Sequence, residues 1–283
     1  MDDDMSNVVP FAPVERGEED WRAQLQNKPQ GGIDTKAVRN FNLYAMHHRD
    51  LVGRIRFDTF GGVTTIKASP WELDGRERPI TDVDAILMRE WLQGQHLQPT
   101  ASEARDALTV AAHRNQYHGV LDYLDALVWD GVPRIDTWLI DIMGASDMPY
   151  VRAVGGKMLI GAVARVRDPG CQMDTMLILA GGEGVGKSSS VAALFHRRWT
   201  REAGPRVFGD EKRLPMLLRG AWCVELAELS AMTGEKAQNV NGIITTRVDS
   251  QVQLYARVAT DQPRQNVFFG TVNPGETGYL AGI

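Results

Sequence analysis

Residues 181–188 read Gly-Gly-Glu-Gly-Val-Gly-Lys-Ser, and no other stretch of the chain constrains its fold as much. Gly181 and Gly186 bracket four residues and are followed by Lys187 and Ser188, the spacing of a loop that cradles phosphate. The apolar run 176–180 before it reads as a buried strand, and Val191, Ala192, Leu194 and Phe195 after it suit the inner face of a helix. Glycines let backbone N–H groups turn inward around phosphate oxygens, and a helix N-terminus adds partial positive charge. The loop residues Gly182, Glu183, Gly184, Val185, Gly186, Lys187, Ser188 and Ser189 are therefore expected to hold ATP. Lys187 would reach the β- and γ-phosphates, and the Ser188 hydroxyl would ligate Mg²⁺.

The rest of the composition narrows the class. A chain of 283 residues with 43% hydrophobic and 24% charged residues has material for one large or two smaller cores. A net charge of −5 argues against a surface that coats DNA generally, so any nucleic-acid contact must be local. The two cysteines, Cys171 and Cys223, stand far apart with no CxxC partner, which fits a reducing cytosol and provides neither a disulfide framework nor a zinc site. The acidic start, MDDDMSNVV, is not a signal peptide, and no apolar run approaches a membrane span. A cytoplasmic protein is expected.

Residues 1–30, acidic and proline-bearing, are expected to be disordered. Residues 31–149 read as a mainly helical region. Short strand-like pieces at 54–57 and 63–66 precede helical spacing over 82–92, a helix capped by Ser102, and an apolar face through Val120, Leu121, Leu124, Leu127 and Val128. A long apolar helix over 150–167 stops at Asp168-Pro169-Gly170. After the phosphate loop, residues 221–226 and 266–272 read as buried strands, 232–244 as a helix and 248–257 as a hairpin or loop. Strands alternating with helices around a phosphate loop imply an α/β fold with a parallel sheet over residues 150–283.

Hydrolysis needs a carboxylate near Mg²⁺ and a group that orients water. Glu225 ends the strand 221–226, where residues at carboxyl ends of parallel strands face the ligand, so it is expected beside the metal. Glu228 would accept a proton from water; the two roles are exchangeable, and either glutamate could instead pair with a surface cation. Asn273, at the tip of the next strand, would sense the γ-phosphate and align water, although Asn-Pro also starts ordinary turns. Arg257 and Arg264 are candidates for an arginine donated to a neighbouring subunit's site, against the plainer reading of solvated loop cations.

Four segments, YHGVLDYLDALVWDGVPRIDTWL (117–139), YVRAVGGKMLIGAVARVRDPGC (150–171), RGAWCVELAELSAM (219–232) and PRQNVFFGTVNP (263–274), resemble in the same order the virulence-associated protein E family of phage and genomic-island ATPases. The resemblance covers roughly 42–280. It implies a P-loop module similar to superfamily 3 helicases and the AAA+ group, usually hexameric, serving replication of mobile elements beside a primase. By position, Lys187 and Ser188 match the nucleotide and metal ligands, Glu225 and Glu228 the acidic motif and Asn273 the sensor. His118, Trp129 and Cys171 lie in the resembling segments and are expected to pack. The chain departs from the family where Asn241, Val252 and Gln172 replace basic residues. Relatives also continue past Ile283 into an arginine-bearing stretch, so an ATPase domain lacking its C-terminal portion is expected.

The expected function is an ATP-hydrolysing, ring-forming, DNA helicase-like ATPase acting on single-stranded DNA or a replication fork, without a membrane partner. The rival is an ATP-binding regulatory or truncated protein that hydrolyses little; a small-molecule kinase fits less well, because it does not require the Asn-tipped strand in this order.

Overall fold

The computed structural model describes residues 21–72, 75–204, 207, 213–227, 229, 235–252 and 259–273. The chain divides into two compact units, residues 1–57 with 63–116, and residues 58–62 with 117–283.

The first unit carries helices α1 (Val38–His47), α2 (Asp82–Gly94) and α3 (Ala101–Arg114) and a small sheet of β1 (Ile55–Asp58), β2 (Val63–Lys67), β3 (Glu77–Pro79) and β4 (Gln116–Tyr117), in the order β3-β2-β1-β4. Helices make up most of its regular structure, with the small sheet beside them. Phe41, Leu51, Ile55, Ile66, Met88, Leu92 and Leu108 form its core. Of the terminus expected to be disordered, residues 1–20 lie outside the described residues. Residues 21–30 are ordered: Trp21–Gln24 makes a 3₁₀ turn, and the buried Asn40 amide clamps the main chain by accepting from Gln26 N–H and donating to Gln26 O and Asp34 O. α3 begins one residue before Ser102. Its cap is Thr100, whose Oγ1 accepts from Glu103 N–H while Glu103 Oε2 accepts from Thr100 N–H, a reciprocal pair that satisfies two end donors.

The polar anchor of this unit is Asp84, whose side chain is 1% exposed. Arg78 donates to both of its oxygens at 2.8 Å, and Trp71 Nε1, Thr81 N–H and Thr81 Oγ1 donate as well. Burial alone would raise the Asp84 carboxyl, but Arg78 and the other donors outweigh it and hold it well below the usual carboxylate range. A depressed folded value stabilises above the ordinary aspartate value of 3.8, and that stabilisation is lost as pH falls through the folded value. Asp84→Asn strands the Arg78 guanidinium and is expected to cost about 3 kcal/mol. Hydrogen exchange of α2 amides should accelerate accordingly at neutral pH, and the difference from wild type should shrink in strong acid.

The second unit contains α4 (Gly119–Ala126), α5 (Trp138–Asp141), α6 (Pro149–Arg167), β5 (Leu177–Ala180), α7 (Lys187–Leu194), β6 (Thr200–Ala203), α8 (Arg213–Leu218), β7 (Cys223–Leu226), α9 (Glu235–Thr245), β8 (Val248–Val252), β9 (Ala259–Pro263) and β10 (Val267–Val272). β5, β10, β7 and β6 form a parallel sheet in that order, and β8 pairs with β9 antiparallel. The unit begins at residue 117 rather than at 150, because Val120, Trp138 and Leu139 pack into the same core as Met158, Ala162, Val191, Phe195, Trp222 and Phe269. α6 packs against α4 and α5 as well as β5 and β10, and Trp222 Nε1 donates to Ala162 O at 2.9 Å.

A second core of Leu218, Val224, Leu226, Leu229, Val240, Phe268 and Val272 includes the alternate residues of β7 and β10. With apolar groups on both sides, β10 is buried along its whole length, which explains why its text is apolar apart from Gly270 and Thr271. An added Cβ on Gly270 would overlap Leu229 Cδ1, so a larger residue there would force the buried Leu229 to shift. β6 escapes sequence detection: in Thr-Arg-Glu-Ala only Ala203 is buried, and an edge strand of four residues shows no period. Among the described residues, no helix is long and apolar enough to cross a membrane.

Candidate functional site

The site lies at the carboxyl end of the parallel sheet, where β5 and β10 end beside the start of α7. β5 runs into the glycine loop, whose first amide, Gly181 N–H, donates to Val272 O at 3.2 Å and so ties the loop to the tip of β10. Gly186 is the residue before α7 and sits at φ +90°, a left-handed conformation that a side chain would strain. No side chain caps α7, which leaves the amides of its first turn available to an anion. Gly182, Glu183, Gly184 and Val185 form the loop proper, with Val185 67% exposed, and Ser189 lies exposed in the first turn of α7.

Four predicted side chains meet here. Lys187 Nζ donates to Gly181 O at 2.5 Å, Gly182 O at 2.8 Å and Asn273 Oδ1 at 3.2 Å. Ser188 Oγ donates to Glu225 Oε1 at 2.5 Å. Lys187 and Asn273 are 86 residues apart in sequence, and Ser188 and Glu225 are 37 apart. The strand order brings them together: β10 lies between β5 and β7, so its tip stands between the loop and the acid strand. Glu225 is 4% exposed. Cys223, two residues earlier on the same side of β7, is held protonated because burial and the neighbouring Glu225 push its thiol well up, which makes it an inert core residue. Both cysteines are free thiols.

A hydroxyl beside one carboxylate is a donor set that suits Mg²⁺, which takes few protein ligands and keeps phosphate oxygens and waters. Uncapped amides and the Lys187 ammonium suit a polyphosphate. The residues present thus fit ATP·Mg²⁺.

Other candidates fall differently. Glu228 and Arg257 lie outside the described residues. Arg264 is 4% exposed and committed within its own chain: Nε and Nη2 donate to Asp249 at 2.6 and 2.7 Å, and Nη1 donates to Ile243 O. It ties β8 to the start of β10. His118 caps α4, its Nδ1 accepting from Leu121 N–H, which puts the ring proton on Nε2 facing Gln265 Oε1 at 2.7 Å. Trp129, expected to pack, is 74% exposed. Sequence reading missed two neighbours of Glu225. Thr271 Oγ1 donates to Glu225 Oε1 at 3.1 Å, and Glu202 on β6 stands in register with Glu225. The signal that could have found Thr271 is a lone hydroxyl inside an otherwise apolar strand, two residues before Asn273; Glu202 gave none. Arg264→Ala leaves the half-buried Asp249 without its cation and is expected to lower stability by about 2 kcal/mol. Urea unfolding without nucleotide checks this, since a residue serving only a neighbour's site would leave the single chain's stability unchanged.

A family model described as the virulence-associated protein E-like domain matches residues 124–282, more than half of the chain. Comparison with curated proteins finds no match. Among solved structures, the chain is similar to the apo structure of the NrS-1 C-terminal region, with 14% identity and a TM-score of 0.38, covering 77% of this chain and 54% of that one. Two further apo structures of the same region, both in an A form, give 12% identity and TM-scores of 0.40 and 0.37, each covering 77% of this chain and 53% of that one. The chain spans about half the length of the regions it matches. With the family model spanning the phosphate loop, the acid strand and the Asn-tipped strand, the chain belongs to the virulence-associated protein E family.

Proposed function

We propose that this chain is an ATP-hydrolysing, P-loop, DNA helicase-like ATPase of the AAA+ and superfamily 3 type, acting in replication of a phage or integrated element. One observation carries the reading: Lys187 and Ser188 at the start of α7 meet Asn273 and Glu225 from two other strands. A generic glycine turn between strand and helix has no need of an amide and a buried acid brought in from distant sequence.

ATP·Mg²⁺ would supply the reactive γ-phosphoryl group and the cation that neutralises its charge. The α7 amides and Lys187 bind and orient the phosphates, Lys187 exchanging neutral carbonyl acceptors for charged ones. Ser188 and Glu225 hold the metal side. Asn273, beside Lys187, is placed to orient a water toward the γ-phosphate. Glu228 is the candidate base and Arg257 the candidate donated arginine. Assembly into a hexameric ring, coupling to single-stranded or forked DNA through the segment 248–257, and work beside a primase complete the reading, and family membership supports them.

The second reading, an ATP-binding protein with little hydrolysis, is favoured by the burial of Arg264, which withdraws one of two candidate arginines from any neighbour. Turnover separates the two. Wild type is expected to hydrolyse ATP faster with single-stranded DNA present, and Lys187→Ala to lose about 100-fold or more. Equal turnover in wild type and variant would remove the enzyme assignment. Binding without turnover, with or without DNA, would leave the second reading.

A further inference from the structure

The chemistry of Glu225 depends on where its carboxylate points, and that direction is set from β10. β7 and β10 are in parallel register with Phe269 opposite Glu225. Thr271 lies two residues beyond Phe269, on the same side of the sheet and one pleat nearer the glycine loop. Thr271 is 8% exposed, and its Oγ1 donates to Glu225 Oε1 at 3.1 Å, the same oxygen that accepts from Ser188 Oγ at 2.5 Å. Glu225 Oε2 accepts nothing from the described residues.

The two donors differ in kind. Ser188 is exposed, on the helix that faces the phosphates, and while its O–H donates to Glu225 its lone pairs remain available to ligate a cation. Thr271 is buried in the central strand, and its branched Cβ restricts χ1. It is the donor that the sheet itself holds in place. A carboxylate buried to 4% exposure needs such a partner, and a fixed one holds a single rotamer.

We infer that Thr271 is a positioning residue for the metal side of the site, holding Glu225 through Oε1 so that Oε2 is presented to the Mg²⁺ shell. The inference rests on the ATPase reading above and adds to it a residue that touches neither nucleotide nor metal.

The test is titration of a fluorescent ATP analogue into wild type, Thr271→Val and Thr271→Ser, without metal and then over a range of Mg²⁺. Affinity without metal is expected to be unchanged in all three. The Mg²⁺ concentration giving half-maximal tightening is expected to rise about tenfold in Thr271→Val and to return toward wild type in Thr271→Ser. Should valine disturb the packing, Thr271→Ala and Thr271→Ser, which differ only in the hydroxyl, carry the same comparison. An unchanged Mg²⁺ midpoint in the folded hydroxyl-less variant overturns the inference, as does an equal loss of metal-free binding, the mark of a merely structural role. A wild type that binds no nucleotide overturns the ATPase reading as well, so the two failures are told apart.

Discussion

Glu225 is a charge-bearing group at the end of a strand that is otherwise apolar on both faces, and everything around the site answers that problem. Its oxygen accepts from Ser188 on α7 and Thr271 on β10, so helix, central strand and acid strand are pinned to one another at one carboxylate. A buried carboxylate without donors would cost several kcal/mol. Its presence is tolerated because three elements converge on it, and their convergence is also what a metal-assisted reaction requires.

The same corner is built to respond. α7 starts from a left-handed glycine with no side-chain cap, and Lys187 rests on two loop carbonyls and the Asn273 amide. These contacts are neutral on the acceptor side, whereas phosphate oxygens offer charge-assisted ones of roughly twice the strength. Remote from the glycine loop, Arg264 and Asp249 fasten the β8–β9 pair to the start of β10. Hairpin and site therefore share the central strand, one attached at each end. In the first unit, Asp84 plays the comparable anchoring part, collecting Arg78, Trp71 and Thr81 around a buried charge.

Elements with strong periodicity were legible in the sequence. The strand before the glycine loop, the helix ending at Asp168 and the apolar strand before Asn273 fall within a residue or two of β5, α6 and β10. Features decided by distant partners were not. β6 has a single buried residue and is a strand only because β7 lies beside it. The boundary at residue 117 reflects side chains such as Val120 and Trp138 entering a core shared with residues as distant as Trp222 and Phe269. The ordered 21–30 segment depends on one amide, Asn40, that no pattern singles out.

By itself, then, the sequence determined the phosphate-type loop, the acid and the amide as separate pieces, because each is encoded by residue type over a short span. The tertiary structure alone decided that they meet. Interposing β10 between β5 and β7 is a matter of strand order, set by which apolar faces bury together, and strand order leaves no local trace. It is also what gave Glu225 its second hydroxyl from Thr271, since a side chain's partners across a sheet follow from register and pleat rather than from spacing along the chain.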